Sequence, residues 1–227
     1  MAEPIPIIGG TGTLGYGLAV RWTQAGEQIV IGSRKAERAA EAADRVRAVF
    51  ADAEVEGLEN AEAVTRGPIV FLTVPFRAQS ETLTNLKEAL QAGQILVDCT
   101  VPTAAAISGK ASRTIGVWQG SAAQQAEEMV PEGVTVISAL HTVSAPALAE
   151  GDPLEEDILI CGDRKADKAR VAELVERIEG LRAVNAGALE MARIAETLSP
   201  LLIAINVRYK GRAGVRITGL PQDDHWT

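Results

Sequence analysis

The chain has 227 residues, of which 47% are apolar and 23% are charged, an ordinary balance for a globular protein that buries a core. Its formal net charge of −8 argues against a general nucleic-acid-binding protein, because such proteins need a basic surface that displaces counterions. No apolar run reaches the roughly 18 residues of a membrane-spanning helix, and no basic region precedes the first apolar run. We therefore expect a cytoplasmic protein without a secretory signal.

Short apolar runs alternate with longer helical stretches along most of the chain. The runs that are typical of strands are 5–8, 28–31, 69–74, 95–98, 134–140 and 157–161. Helices are predicted at 15–25, 35–50, 79–90 and 163–179. Because the strands are continuously apolar and alternate with helices, they predict a parallel sheet that is covered on both faces.

Two stretches depart from this alternation. Residues 101–131 lack a strong strand pattern, so we expect a long connection there. It should be helical from about Trp118 and should lie partly over the active site. Residues 188–207 are apolar and helical, with an interruption at Pro200. We predict an α/β fold, a Rossmann-type doubly wound parallel sheet over residues 1–187, with a small helical C-terminal domain over residues 188–227.

The two cysteines, Cys99 and Cys161, both lie in apolar, strand-like runs. A disulfide or a metal-binding pair is an alternative, but small buried thiols suit these surroundings better. We expect two buried thiols and no metal site.

A glycine-rich turn follows the first predicted strand and opens the first predicted helix. Gly10, Gly12 and Gly15 fit the pattern G-x-G-x-x-G, in which the glycines permit a tight turn, an approach to a pyrophosphate and close helix packing. The free N–H groups and the dipole of the helix then bind the anion. The turn therefore predicts a dinucleotide-binding site.

Two other classes share part of this pattern. Gly9, Gly12 and Gly15 also fit the spacing of short-chain dehydrogenases, which need a Tyr-x-x-x-Lys pair, but neither Tyr16 nor Tyr209 has a lysine four residues later. No lysine follows the glycine turn, which excludes a nucleotide-hydrolysing P-loop.

The second predicted strand ends in Ser33 and Arg34, with Arg38 one helical turn later. Enzymes that bind NAD place a carboxylate here to hold the ribose hydroxyls, and this chain has none at the tip. A serine hydroxyl and two guanidinium groups would instead bind the 2′-phosphate of NADP. The alternative is a solvated basic helix start, although a helix N-terminus favours acidic residues.

The sequence contains two histidines and no combination of side chains typical of nucleophilic or metal catalysis. Hydride transfer between two rings needs positioning rather than a nucleophile. His225 lies in a polar tail and is expected to have no role. His141 follows the fifth predicted strand, where it would bind substrate, assist a proton transfer or be purely structural.

Several segments together resemble the NADPH-dependent reductases of the deazaflavin coenzyme F420, over about residues 5–217. The segments that carry this resemblance are 8–15, 32–34, 73–76, 138–142, 161–163, 180–182, 196–202 and Asn206. The glycine turn alone is unspecific, whereas the ordered combination is specific.

The resemblance implies reversible hydride transfer between NADP(H) and F420, in a homodimer. It implies contacts with NADP at Thr11, Gly12, Thr13, Leu14, Ser33, Arg34 and Arg38, and near the nicotinamide at Val74, Val101 and Ala145. The deazaflavin would stack near Pro75, Phe76, His141 and Thr142.

Beyond the resemblance, residues 206–217 contain four basic residues and no acidic one. Because F420 carries a phosphate and an oligoglutamate tail, our hypothesis is that Arg208 and Arg212 attract that tail. The alternative is a solvated helix end whose cations suit the negative pole of the helix.

Two other functions fit part of the sequence. One is a different NADPH-dependent imine or carbonyl reductase; the β-hydroxyacid dehydrogenases among these need a Lys-x-x-x-Asn helix, whereas Asn206 and Lys210 run in the opposite order. The other is a non-catalytic NADPH-sensing protein that uses the same fold without chemistry.

Overall fold

The computed structural model describes residues 3–221 and residue 226. Its main feature is a six-stranded, wholly parallel sheet with the order β3-β2-β1-β4-β5-β6. Its strands are β1 (Ile5–Ile8), β2 (Ile29–Ser33), β3 (Val55–Glu59), β4 (Ile69–Leu72), β5 (Ile95–Asp98) and β6 (Thr135–Ser138). This is the strand order of the dinucleotide-binding Rossmann fold.

Helices connect these strands and cover both faces of the sheet. They are α1 (Thr13–Gln24), α2 (Ala36–Val49), α3 (Asn60–Ala63), α4 (Phe76–Leu86), α5 (Ala122–Met129) and α6 (Ala145–Glu150). The predicted doubly wound α/β architecture is confirmed.

Alternate residues of each strand enter two separate apolar cores. Ile7 and Phe71 share one core with residues of α1 and α2, whereas Ile8 and Leu72 share the other with residues of α4 and α5. Trp22 of α1 lies against Phe71, with ring centroids 4.5 Å apart. Such two-sided burial is the reason that the strands are apolar at every position.

A second, two-stranded parallel sheet follows, formed by β7 (Glu156–Ile160) and β8 (Leu181–Asn185) with α7 (Lys165–Glu176) between them. Its only described link by pairing to the first sheet is an antiparallel bridge between Ser138 and Cys161. The run 157–161 was expected to extend the main sheet, and that expectation is wrong. The bridge runs antiparallel, so β7 does not continue the parallel ladder.

The last long helix, α8 (Ala192–Tyr209), is continuous through Pro200, so the predicted interruption is also wrong. A proline in a helix removes one N–H donor and crowds the preceding turn, but a helix packed on its neighbours accommodates this. None of the helices in the described part of the chain is long and apolar enough to span a bilayer.

No sequence pattern predicted β3, and α5 begins later than expected. Residues 55–59 read Val-Glu-Gly-Leu-Glu and form the edge of the sheet, where one side faces solvent, so no continuous apolar run marks them. The helix expected from Trp118 begins at Ala122, after Ser121 caps it through a hydrogen bond to the N–H of Gln124. Cys99 and Cys161 are buried, unpaired thiols, as expected.

Candidate NADP site and substrate cleft

The glycine turn lies between β1 and α1, at the point where the strand order reverses. Gly9 has a φ of +78°, which favours glycine. Its N–H and that of Gly10 donate to the carbonyl of Gly32, which ties the turn to the end of β2. The conformation of the turn is therefore fixed by backbone hydrogen bonds within the chain.

The first turn of α1 is suited to an anion. Gly12 precedes the helix, no acidic residue lies in its first turn, and no side chain caps it. The leading N–H groups of a helix have no acceptor within the helix, so they are available to a pyrophosphate at its positive end. Gly12 and Thr13 are exposed at this point.

The glycines of the turn have different surroundings, and these fit a bound dinucleotide. A Cβ on Gly15 would lie 2.5 Å from Thr73 Oγ1 and 2.6 Å from Gly10 Cα, so Gly15 is required for close packing. A Cβ on Gly12 would meet only the carbonyl of Gly9, at 3.3 Å, and would otherwise point into open space. That open space is the approach that a pyrophosphate needs.

The expected 2′-phosphate side chains surround the carboxyl end of β2. Ser33 is buried as the last residue of the strand, and its Oγ lies 3.4 Å from the backbone nitrogen of Lys35. Arg34 and Arg38 are exposed, and neither forms an ion pair within the described residues. A shallow hollow beside Arg34, between α3 and α4, is lined by Asn60 and Leu86, among others. It lies beside the side chain of Arg34, just after β2.

The residues expected near the two rings follow three neighbouring strands. Val74, Pro75 and Phe76 follow β4, Val101 follows β5, and Ala145 begins α6 after β6. The carboxyl ends of these strands lie along one edge of the parallel sheet. The structure therefore brings these predicted positions to one side of the molecule, the side on which such sheets bind ligands.

His141 lies at this edge, in a turn that holds it tightly. Leu140, just before it, has a φ of +66°, an unusual conformation for a side-chain-bearing residue. The carbonyl of His141 accepts a hydrogen bond of 2.6 Å from Ser199 Oγ of α8, and its Nε2 lies 3.5 Å from Ser138 Oγ. Thr142 is buried beside it.

His141 is half-buried, and its surroundings set its protonation state. Loss of hydration lowers the pKa of its imidazole to about 4, and a hydrogen bond with the backbone of Asp98 opposes this only partly. The ring is therefore neutral at physiological pH, able to donate from one nitrogen and accept at the other.

A buried polar cluster lies at the carboxyl end of β5. Asp98 is fully buried, accepts a hydrogen bond from Gln79 of α4 and another of 2.6 Å from the N–H of Thr100, and burial raises its pKa to about 6. Gln79 also donates to Thr100 Oγ1 and to the carbonyl of Ala122, each at 2.9 Å. The cluster fixes α4, the end of β5 and the start of α5 relative to one another.

Glu196 completes this cluster from α8. Its carboxyl group is 1% exposed and accepts hydrogen bonds from the N–H groups of Ala122 and Ala123, at 2.9 and 3.1 Å. Burial raises the pKa of Glu196 to about 8, although these hydrogen bonds oppose the rise. The sequence patterns did not identify Asp98, Gln79 or Glu196 as members of the site. Asp98 alone carried a signal, because it is an acidic residue at the end of an apolar strand.

Two of the four cations of the C-terminal basic segment form ion pairs within the chain. Arg212 pairs with Glu150, at 2.6 Å, and with Asp152. Arg216 lies 3.8 Å from Glu155 and 3.9 Å from Asp157. Arg208 is exposed in the last turn of α8. The acidic segment 150–157 therefore balances Arg212 and Arg216, whereas Arg208 and Lys210 form no ion pair within the described residues. His225 lies outside the described residues.

The strand order, the glycine turn and the basic residues after β2 define a protein of the dinucleotide-binding Rossmann class. Comparison with known sequences then gives the family. The model of the family described as NADP oxidoreductase, coenzyme F420-dependent, matches residues 4–102. The F420-dependent NADP reductase of Methanothermobacter thermautotrophicus is 43% identical over 99% of this chain and 98% of its own length. The chain belongs to the F420-dependent NADP oxidoreductase family.

Two further comparisons agree. The F420-dependent NADP reductase of Methanocaldococcus jannaschii is 40% identical over 95% of this chain and 98% of its own. A crystal structure of a candidate F420-dependent NADP reductase from Arthrobacter sp. FB24 superimposes with a TM-score of 0.77 at 22% identity, covering 93% of this chain and 96% of that one. The second likeness supports the fold.

Proposed function

We propose that this protein is an F420-dependent NADP reductase that transfers a hydride reversibly between NADP(H) and the deazaflavin F420. When bound, the nicotinamide and the deazaflavin supply the hydride chemistry themselves. The protein supplies binding, orientation and exclusion of water. The proposal also agrees with the state of His141, whose imidazole is neutral at physiological pH, because hydride transfer needs no group that titrates near pH 7.

The proposed NADP contacts follow the geometry of the site. Residues 10–15 would hold the pyrophosphate at the start of α1, and Ser33, Arg34 and Arg38 would hold the 2′-phosphate. Val74, Val101 and Ala145 would border the nicotinamide. Pro75, Phe76, His141 and Thr142 would then meet the deazaflavin on the side of α8.

The observation that carries the proposal is the pairing of an open glycine turn with two exposed guanidinium groups after β2, in a chain of this family. It predicts bleaching of the deazaflavin's visible absorbance band when the protein is mixed with NADPH and F420. Bleaching should be much weaker with NADH, because NADH lacks the 2′-phosphate. If NADPH binds but F420 stays oxidised, an imine or carbonyl acceptor or a sensing role would replace this function.

We further propose that the protein forms a homodimer through α8. Ile194, Leu198, Leu201 and Ile205 are spaced four, three and four residues apart, which places them on one side of the helix. Ile194 and Leu201 are each 55% exposed, which is unusual for large apolar side chains on a helix. A second copy of the same helix is the occupant that this self-complementary stripe suits. Action in the cytoplasm and a separate C-terminal domain over 188–227 stay predictions.

A further inference from the structure

The connection between β5 and α5 differs in charge from the rest of the molecule. We call residues 102–120 the β5–α5 loop. The sequence has no aspartate or glutamate between Asp98 and Glu127, whereas Lys110 and Arg113 lie within the loop. In a chain with a net charge of −8, this makes the loop a local positive surface that attracts anions.

Backbone hydrogen bonds fold this loop into a compact hairpin. Thr103 and Thr114 form an antiparallel bridge, and the N–H of Ala104 donates to the carbonyl of Arg113 at 2.7 Å. The N–H of Arg113 donates in turn to the carbonyl of Lys110 at 3.1 Å, which closes a single turn. The two cations therefore stand at the ends of one turn, with Cα atoms within about 7 Å. An anion with several charged oxygens can meet both.

Both cations are available to a ligand. Lys110 and Arg113 are exposed, and neither side chain forms an ion pair or hydrogen bond with any other residue that the structure describes. Arg212 differs from them, since Glu150 and Asp152 already balance its charge. The β5–α5 loop thus offers two cations without an ion-pair partner on a single turn. In the C-terminal segment, Arg212 is paired, whereas Arg208 and Lys210 are exposed without an ion pair among the described residues.

The loop borders the proposed substrate cleft. It begins immediately after Val101, at the carboxyl end of β5. Its other end is fixed where Gln79 of α4 and Glu196 of α8 bind the backbone of Ala122. A ligand held between the strand ends and α8 would have the hairpin at its rim.

We propose that Lys110 and Arg113 bind the anionic side chain of the deazaflavin, that is, its phosphate and the carboxylates of its glutamate tail. This inference rests on the proposed function. A guanidinium group binds phosphate or carboxylate oxygens through two parallel hydrogen bonds, and an ammonium group adds a mobile point charge. The hairpin assigns tail recognition to the β5–α5 loop in place of Arg208 and Arg212.

The test compares two substrates on three proteins. The substrates are F420 and its core without phosphate and glutamates, which keeps the reacting ring. The proteins are the wild type, Lys110→Ala/Arg113→Ala and the matched control Arg208→Ala/Arg212→Ala. We expect the loop variant to raise KM for F420 roughly five- to twentyfold, as for two exposed ionic contacts. KM for the tail-less core and for NADPH should stay unchanged.

Binding without turnover provides a second readout. Titration of each protein into F420, followed by the anisotropy of the deazaflavin's own fluorescence, gives Kd directly. The Kd of the wild type should rise steeply with salt, and that of the loop variant less so, because fewer charges are neutralised on binding. Lys110→Glu/Arg113→Glu should weaken binding further.

The outcomes separate the two proposals. An equal rise in KM for F420 and for the tail-less core, or a loss confined to the Arg208/Arg212 variant, overturns the role of the loop. A wild type that binds F420 but never reduces it overturns the proposed function instead. In that case the Kd values of the loop variants still decide where the tail binds.

Discussion

The Oε2 atom of Glu196 lies 2.9 Å from the backbone nitrogen of Ala122, so one side chain of α8 ties the last helix to the first turn of α5. The same carboxyl group also binds the N–H of Ala123. One turn later, Ser199 binds the carbonyl of His141. These two contacts fix α8 over the carboxyl ends of β5 and β6, and therefore shape the proposed deazaflavin cleft.

Replacing Glu196 by alanine should loosen this attachment. It leaves two buried N–H groups without an acceptor, so the free energy of unfolding should fall by roughly 2–4 kcal/mol. KM for F420 should rise as well, because α8 borders the cleft. Urea unfolding and steady-state kinetics measure the two effects.

A matched control lies at the start of the same segment. Glu190 is 65% exposed and lies 3.8 Å from Arg193, so Glu190→Ala should change stability by no more than about 0.5 kcal/mol. If the free energy of unfolding falls equally in the two variants, the buried contact of Glu196 stabilises the fold no more than the exposed contact of Glu190 does.

Alanine substitutions at two glycines of the turn should have different effects, one on stability and the other on NADPH binding. Gly15→Ala forces a Cβ to within 2.6 Å of Gly10 Cα, which is backbone, so the fold itself should lose about 1–3 kcal/mol. Gly12→Ala meets nothing closer than 3.3 Å and should keep its stability to within about 1 kcal/mol. Its Kd for NADPH should nevertheless rise at least roughly tenfold, because the methyl group occupies the approach of the pyrophosphate.

Thermal unfolding and NADPH titration of both variants separate these roles. A Gly12→Ala protein that binds NADPH as well as the wild type would contradict the position assigned to the pyrophosphate.

The sequence allowed the main sheet and the cofactor turn to be predicted because both depend on local pattern. A strand buried on two faces is apolar throughout, and the glycine turn needs its residues at fixed spacing. The strand at Val55–Glu59 escaped prediction since an edge strand lacks this pattern. Glu196 escaped because its partners, Ala122 and Ala123, lie more than 70 residues away, and no local pattern in an apolar helix marks a carboxyl group as buried.

The charge of the C-terminal segment illustrates the same limit. Residues 206–217 are purely basic in sequence, which favoured an external anion as their partner. In the fold, Glu150 at the end of α6 and Asp152 just after it pair with Arg212. A local excess of charge therefore predicts a binding surface only when no distant segment of opposite charge packs against it.

Specificity for NADPH should depend on the two arginines after β2. Arg34→Ala/Arg38→Ala removes the charge-assisted contacts with the 2′-phosphate, which at these exposed positions are together worth about 1.4–2.7 kcal/mol. KM for NADPH should therefore rise roughly 10- to 100-fold, while KM for NADH changes little. The two KM values are measured with F420 as the acceptor.

Arg170→Ala is a suitable control for these arginines. Arg170 lies beside Glu3, at 3.9 Å, near the amino end of β1, on the opposite edge of the sheet. It should leave both KM values unchanged. If KM for NADPH and KM for NADH rise equally in the Arg34/Arg38 variant, these arginines act on stability or on the pyrophosphate that both cofactors share.

The apolar stripe of α8 gives a prediction about assembly. Leu201→Lys places a charge in the middle of the proposed contact between two copies, so it should convert a dimer into a monomer at micromolar concentration. Val49→Lys is the control, because Val49 is a comparably exposed apolar residue, at the end of α2. Light scattering coupled to size-exclusion chromatography measures both. A monomeric wild type would contradict the proposed dimer.

The protonation of His141 gives a prediction for the pH dependence of activity. Because burial lowers the pKa of its imidazole to about 4, the ring stays neutral from about pH 5.5 to 8.5. Any change of kcat in that window must arise from other groups, the deazaflavin included. The pH profile of His141→Gln should therefore be parallel to that of the wild type, even if its kcat is lower. A limb near pH 6.5 that disappears only in the variant would assign proton transfer to His141.

The same shift of the His141 pKa affects stability, with a definite sign. The pKa of the imidazole in the folded state lies below its value of about 6.5 in the unfolded state. Above pH 6.5 the ring is neutral in both states, and the free energy of unfolding carries no penalty from His141. Stability is lost as the pH falls from about 6.5 through 4, by roughly 1–2 kcal/mol at pH 5. Urea unfolding at pH 7.5 and pH 5 should show a larger drop for the wild type than for His141→Gln, which has no proton to gain. Equal drops would mean that the imidazole is solvated and titrates normally, and that the cleft does not exclude water around it.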